Sequence, residues 1–226
     1  MGLAERIGMV RAEVAEAAAR AGRSPDAVTI VAVSKTVDRA AVDEAYALGL
    51  RHFGENRVQD AVRKFADPLP HDAVLHLIGQ LQTNKARPAA ALFGLIESVD
   101  RLSLIAALEK EAARLERTIP VLLQVNIAGE AQKAGCPPED AADLVARIAA
   151  TPGLALRGLM TIAPLVPDPE QVRPVFAGLR ALRDLIRDEH PELPLATLSM
   201  GMSNDYATAI AEGATEVRIG RAIFGS

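Results

Sequence analysis

Four places in this sequence could do chemistry: Lys35, which closes the apolar run 28–34; Asn56, at the end of HFGEN (52–56); LSMGMSND (198–205); and EVRIGRA (216–222). A lysine held in a partly desolvated setting loses proton affinity and can attack a carbonyl to form a Schiff base. A lone strand-end lysine, by contrast, ordinarily snorkels to solvent. Gly201 lets the backbone approach a ligand, Ser199 and Ser203 offer hydroxyls, and the helix start that follows offers free N–H groups. Gly220 marks a second strand tip of the same kind. Singly these are also the marks of a helix cap and a loop glycine; side by side they make an anion cradle near an amine. Arg218 lies between Val217 and Ile219, so strand parity puts it with Glu216 and Gly220 on the opposite side. A charge at an inward position needs a partner or a ligand. An internal ion pair with Glu216 or Glu55 is the plainer alternative to a ligand. Asn56 could donate to a ligand ring or cap the next helix, and capping is its more ordinary role.

Other reactive residue types offer less. His76, inside VLHLIG, reads as a satisfied core histidine, and Cys136 precedes two prolines with no histidine at ligand spacing. No metal constellation, Ser–His–Asp signature or P-loop stands out.

The elements that must position these groups alternate along the chain. A leading helix spans 3–21. Strand-like runs follow at 28–34, 52–56, 74–79, 95–99, 121–126, 156–160, 197–200 and 216–220. Helical runs lie between them at 39–48, 57–65, 84–92, 102–117, 138–150, 170–189 and 205–212. Eight β runs, seven of them followed by a helix, predict a single closed (β/α)8 barrel spanning 1–226. The eighth helix is missing or displaced, and the leading helix is placed to close the ring instead. An open doubly wound sheet is the alternative; no GxGxxG follows the first strand to support it. In a barrel, Lys35 sits at the end of the first strand and the anion cradle at the ends of the seventh and eighth, where barrels often bind phosphate.

Composition agrees. The 226 residues fit one barrel of roughly 250 residues. Half of them are hydrophobic but only 3% aromatic, so the core is aliphatic, as parallel strands under helices require. The net charge of -4, without a basic tract, argues against nucleic acid as a partner. A single cysteine excludes an internal disulfide and suits a reducing compartment. The N-terminus lacks the apolar stretch of a secretory signal, and no run approaches the ~20 residues that span a bilayer. These features predict a cytoplasmic protein without membrane contact.

The blocks VAVSKT (31–36), HFGENRVQ (52–59), HLIGQLQTNK (76–85), ESVD (97–100), VNIAGEAQKAG (125–135), GLMTIAP (158–164), LSMGMSNDY (198–206) and VRIGRAIFG (217–225) run through nearly the whole chain. In this the chain resembles the pyridoxal phosphate homeostasis proteins. The resemblance implies a pyridoxal 5′-phosphate (PLP) barrel of fold type III, like the N-terminal domain of alanine racemase. It implies Lys35 as the internal aldimine lysine, and Ser199, Gly201, Gly220 and the backbone around Met200 and Arg221 as the phosphate cradle. Arg218 would face the pyridine nitrogen and Asn56 would lie beside the ring. Two departures stand away from these positions: the chain stops at Phe224-Gly225-Ser226, where relatives often continue, and Cys136-Pro137-Pro138 follows the KAG block.

The family is described as binding, storing or delivering PLP without a firm enzymatic activity. An arginine cannot give the ring nitrogen a carboxylate-like partner, which leaves carbanions poorly stabilised. Racemases of this fold add a tyrosine from a second domain of the partner subunit. Here the two tyrosines, Tyr46 and Tyr206, fall in or beside helices. A carrier that hands PLP to PLP-requiring apo-enzymes is therefore expected, as a monomer. An amino-acid racemase or decarboxylase of the same fold type is the alternative. Lys85 and Lys133 are candidate hosts for a second PLP site.

Overall fold

The computed structural model describes residues 1–130 and 132–225. Ala131, within the 125–135 block, and Ser226, in the departure at the chain end, lie outside the described residues. Helix α1 (Leu3–Arg20) precedes β1 (Thr29–Val33), α2 (Arg39–Ala47), β2 (His52–Glu55), α3 (Val58–Lys64), β3 (Val74–Leu77) and α4 (Ala86–Leu92). Then come β4 (Leu95–Val99), α5 (Leu102–Leu115), β5 (Ile119–Gln124), α6 (Ala141–Ala149), β6 (Leu154–Met160) and α7 (Arg173–Glu189). The chain ends with β7 (Thr197–Met202), α8 (Tyr206–Ala211), β8 (Glu216–Ile219) and α9 (Arg221–Phe224). The eight strands pair in sequence order, all parallel, and β8 returns to β1, closing the barrel.

The eighth helix is present, but it is one turn long. α1 packs against both α8 and α9, filling the gap in the outer ring as the sequence predicts. The Arg6 guanidinium fastens that closure by donating to Ile223 O at 2.6 Å. Two helices start later than their apolar periodicity suggests. Pro138–Asp140 and Pro169–Val172 form tight 3-10 turns before α6 and α7. Proline fixes φ for such a turn but supplies no N–H to it.

Period-2 alternation sorts each strand. Ala32, Phe53, Leu77, Ile96, Leu123, Leu198, Val217 and Ile219 face outward into one continuous apolar core beneath the helices. The helices answer with stripes such as Leu104, Ile105, Leu108 and Ala112 on α5. The alternate residues point into the barrel. There Leu95, Leu122 and Met160 make a small separate apolar cluster, Val31 and Val33 of β1 are also apolar, and His76, Glu97, Ser199, Glu216 and Arg218 are buried polar groups.

Candidate functional site

At the C-terminal ends of the strands a cavity of about 700 Å³ opens, and Lys35, Asn56, Arg218, Gly220 and Arg221 all line it. Five of the eight predicted site residues are thus brought together from β1, β2 and β8 and the loops beyond them. Lys35 is exposed in the mouth and not desolvated as the sequence reading supposed. Its side chain makes no hydrogen bond or ion pair with any described residue. Asn56 does not cap α3: the N-cap is Arg57, which makes no side-chain cap bond. Asn56 faces the cavity instead.

Ser199, Met200 and Gly201 do not line the cavity. Met200 points outward and is fully buried in the core beneath the helices. Gly201, at φ +95°, serves packing: a Cβ there would stand 2.9 Å from Tyr206 Cα, at the start of α8. Ser199 does point inward, but below the mouth, and its hydroxyl is fully engaged there. The loop one step further, Met202 to Asp205, faces the cavity in their place. Arg221 bridges this loop to β8 by donating to Asn204 Oδ1 at 3.0 Å. The first bond inside α9 is donated by Ile223 to Gly220 O, so the N–H groups of Arg221 and Ala222 have no acceptor within the helix.

A buried polar chain runs beneath the cavity. Arg218 Nη1 donates to Ser199 Oγ at 2.6 Å, and Ser199 Oγ donates to Glu97 Oε2 at 2.6 Å. Glu97 Oε1 meets His76 Nδ1 at 2.8 Å, and His76 Nε2 meets His52 Nδ1 at 2.9 Å. Arg218 Nη2 donates to Thr161 O at 2.8 Å. Arg218 is 3% exposed, His76 1%, and Glu97 and Ser199 0%, so these bonds lie away from bulk solvent. The plain alternative for Arg218 was an ion pair with Glu216 or Glu55. Its counter-charge is instead Glu97, with Arg218 Nη1 3.8 Å from Glu97 Oε2.

The protonation pattern follows from this geometry. Burial disfavours the charged His76 ring, but hydrogen bonds and charge from Glu216 and Glu97 outweigh it and raise its pKa to about 9. Burial likewise opposes the Glu97 carboxylate, yet His76 and Arg218 hold it down at about 2. Burial, then the His76 charge, lower His52 to about 4. Every donor then has its acceptor: Glu97 accepts from Ser199 and His76, and a neutral His52 accepts from His76. Burial and the neighbouring Glu97 raise the Glu216 carboxyl. His76, Glu97 and Glu216 bring one nitrogen and two oxygens within 4.8 Å of one another, donors that could in principle hold a metal ion. The 2.8 Å spacing of His76 Nδ1 and Glu97 Oε1 is that of a charged hydrogen bond.

On the other side of the mouth, Lys64 Nζ donates to Ser34 O at 2.6 Å and to Glu55 Oε1 at 2.9 Å, while Ser34 Oγ donates to the same carboxylate oxygen at 2.6 Å. This knot holds the residue before Lys35 against the residue before Asn56. Gly79 lets β3 close up on it: a Cβ there would sit 2.2 Å from Asn56 O. Glu97, Lys64 and Gly79 are the residues sequence reasoning missed. Glu97 carried a signal, since parity in LIESV puts it inward, the argument already applied to Arg218. Lys133 lines the same mouth as Lys35, and Lys85 lines a cleft of about 240 Å³ that shares Asn56 and Gln80 with it. Cys136 is buried, and desolvation followed by nearby acids pushes its thiol up to about 12.

Known proteins resemble this arrangement over its full extent. The family described as alanine racemase, N-terminal domain, matches residues 4–226. The pyridoxal phosphate homeostasis protein of Pseudomonas aeruginosa is 47% identical over 225 residues, spanning 99% of this chain and 95% of that protein. The protein of that name from Aquifex aeolicus is 40% identical over 225 residues, spanning 100% and 98%. Among solved structures, PipY of Synechococcus elongatus with PLP bound superposes with a TM-score of 0.87 at 40% identity, covering 99% of this chain and 100% of that one.

Proposed function

The chain belongs to the alanine racemase N-terminal domain family and, within it, to the pyridoxal phosphate homeostasis proteins, and from this we propose that it binds PLP at the barrel mouth and carries it within the cell without turnover. The observation that carries the reading is the Lys35 amine, free of any described partner, in a cavity whose floor presents the Arg218 guanidinium. When bound, PLP supplies an aldehyde for a lysine amine and a ring that can accept electrons.

The residues fit that group. Lys35 supplies the amine. The amides that start α9 at Arg221 and Ala222, the glycine at position 220 and the Ser203 hydroxyl are donors and space for a phosphate. Arg218 offers its remaining N–H groups to a ring nitrogen, and Asn56 offers a side-chain amide beside it. Ser199, Met200 and Gly201 act one layer away, by holding Arg218 and the β7 loop.

Two features favour carriage over catalysis. Arg218 cannot release a proton, so the ring nitrogen would stay neutral. A second acid/base is also lacking among the tyrosines: Tyr46 is bonded to Asp72 and Tyr206 to Glu13, and neither lines the cavity. The mouth is open, which suits handover to apo-enzymes. We read 1–226 as one such domain, working as a monomer in the cytoplasm. No helix among the described residues is long and apolar enough to cross a membrane.

Loaded protein incubated with each amino acid, with chirality and carbon dioxide release followed, should react no faster than free PLP; clear turnover would overturn the carrier reading. Lys35→Ala should abolish the absorbance of the covalent complex and the lysine labelling seen after borohydride reduction. Persistence of either would move the attachment elsewhere, to Lys133 or Lys85.

A further inference from the structure

We propose that Glu97, acting through Ser199, is the positioning residue for Arg218, and that it fixes the guanidinium at the floor of the mouth where the bound ring would meet it. The proposal rests on the PLP reading for its consequence, but its structural core stands on the barrel interior alone.

Arginine is a long, flexible side chain, and a guanidinium alone at a cavity floor would sample several orientations. Here two of its nitrogens are already spoken for. Nη2 is tied to Thr161 O, just past the end of β6, and Nη1 to Ser199 Oγ on β7. The serine hydroxyl has one hydrogen. Glu97 Oε2, 2.6 Å away, takes that hydrogen and turns the oxygen lone pairs toward Arg218. Without the carboxylate the hydroxyl could rotate and present its hydrogen to the guanidinium, exchanging attraction for repulsion. Glu97 is held in turn by His76, and His76 by His52, so the carboxylate has no freedom to follow another partner.

Charge leads to the same assignment. An unpaired guanidinium in this setting would be strongly unfavourable, and Glu97 is its nearest counter-ion. The two are separated by one hydroxyl instead of being joined directly. That leaves the face of Arg218 toward the cavity unoccupied by carboxylate, and so available to a ligand nitrogen. Of the other acids nearby, Glu216 leans toward His76 at 3.5 Å and Asp205 accepts from Met202 N, and neither bonds to Arg218.

The test is a double-mutant cycle read by PLP retention. Glu97→Gln keeps the shape and removes the charge; Arg218→Met removes the guanidinium. We expect Glu97→Gln to release PLP about tenfold more readily, the loss of roughly one charge-assisted hydrogen bond. On the Arg218→Met background the same substitution should have no further effect. An equal tenfold loss on that background would overturn the proposal, because Glu97 would then act by another route. Ser199→Ala, which leaves every charge in place, provides the second variant should Glu97→Gln fold poorly. It should weaken retention in the same direction, and wild-type retention in it overturns the proposal. A further arm needs no cofactor: the Arg218 guanidinium N–H resonances should be slow to exchange in the wild-type chain and fast in Glu97→Gln. Unchanged exchange overturns the proposal even if borohydride mapping finds no PLP on Lys35, an outcome that would by itself sink only the functional reading.

Discussion

The two faces of one barrel wall differ in kind. The outer face is apolar and continuous: Phe53, Leu77, Ile96, Leu123 and Ile219 are all 0% exposed and merge with the helix stripes into a single core. The inner face is divided. β4 to β6 place Leu95, Leu122 and Met160 inside and β1 adds Val31 and Val33, whereas His76, Glu97, Ser199, Glu216 and Arg218 form a buried polar set. Burial on the outer face is favourable wherever the side chain is apolar and fits, at about 25 cal/mol per Å². Burial on the inner face is unfavourable for each group unless its partner is present. The outer face therefore selects the fold, and the inner face selects a pattern of charge beneath the mouth.

That contrast is most easily broken from outside. Phe53→Ala removes a fully buried ring on the outer side of β2 and should cost about 3–5 kcal/mol in urea unfolding. Where the variant remains folded, its Lys35 should still react with PLP, since Phe53 does not line the mouth. A loss of PLP binding in fully folded Phe53→Ala would mean that the two faces are not separable.

Arg218→Met cuts the inner face. It strips Glu97 of one counter-charge but leaves His76, so the cost should be about 2 kcal/mol, below the 3–5 kcal/mol of a buried charge left wholly unpaired. PLP retention should fall by far more than stability does. Equal losses in both measurements would mean that Arg218 is simply a structural ion-pair partner.

The same contrast explains what could be read from the sequence. Apolar runs such as VTIVAVS, LIESV and EVRIG marked the strands, their alternation with helices predicted the parallel barrel, and parity placed Lys35 and Arg218 inward, because every strand must bury one apolar face under helices. Lys35 and Gly220 follow from being at strand tips. Depth along the barrel was harder. Ser199 has the right parity, but the tilt and irregular register between β7 and β8 place it below the mouth. Pairing was not legible at all: Ser199 and Glu97 lie 102 positions apart, and only closure of the ring sets them against each other. Asp38 caps α2 by local chemistry, accepting from Ala41 N, whereas the expected cap at Asn56 is not made.

The finest probe of the inner face is pH. His76 is packed against His52 from β2, Glu97 from β4 and Glu216 from β8. Its folded pKa is about 9, above the ~6.5 of an unfolded histidine. A raised pKa means that the folded state binds the proton more tightly. The stabilisation is therefore complete below pH ~6.5 and is lost as pH rises through about 9. Glu97 has the opposite sign: held at about 2, its contribution is present above the usual carboxylate range and is lost only as pH falls toward 2. Between pH 6.5 and 9 the Glu97 contribution is therefore constant, and the raised Glu216 carboxyl can only add to the His76 slope. The Tm of the wild-type chain should fall across that window, by about 2–4 °C for each kcal/mol lost in a chain this size. His76→Gln, which cannot carry the charge, should remove most of that fall. If the two curves run parallel, His76 is neutral in the folded barrel, and the polar chain beneath the mouth is held by hydrogen bonds without the imidazolium.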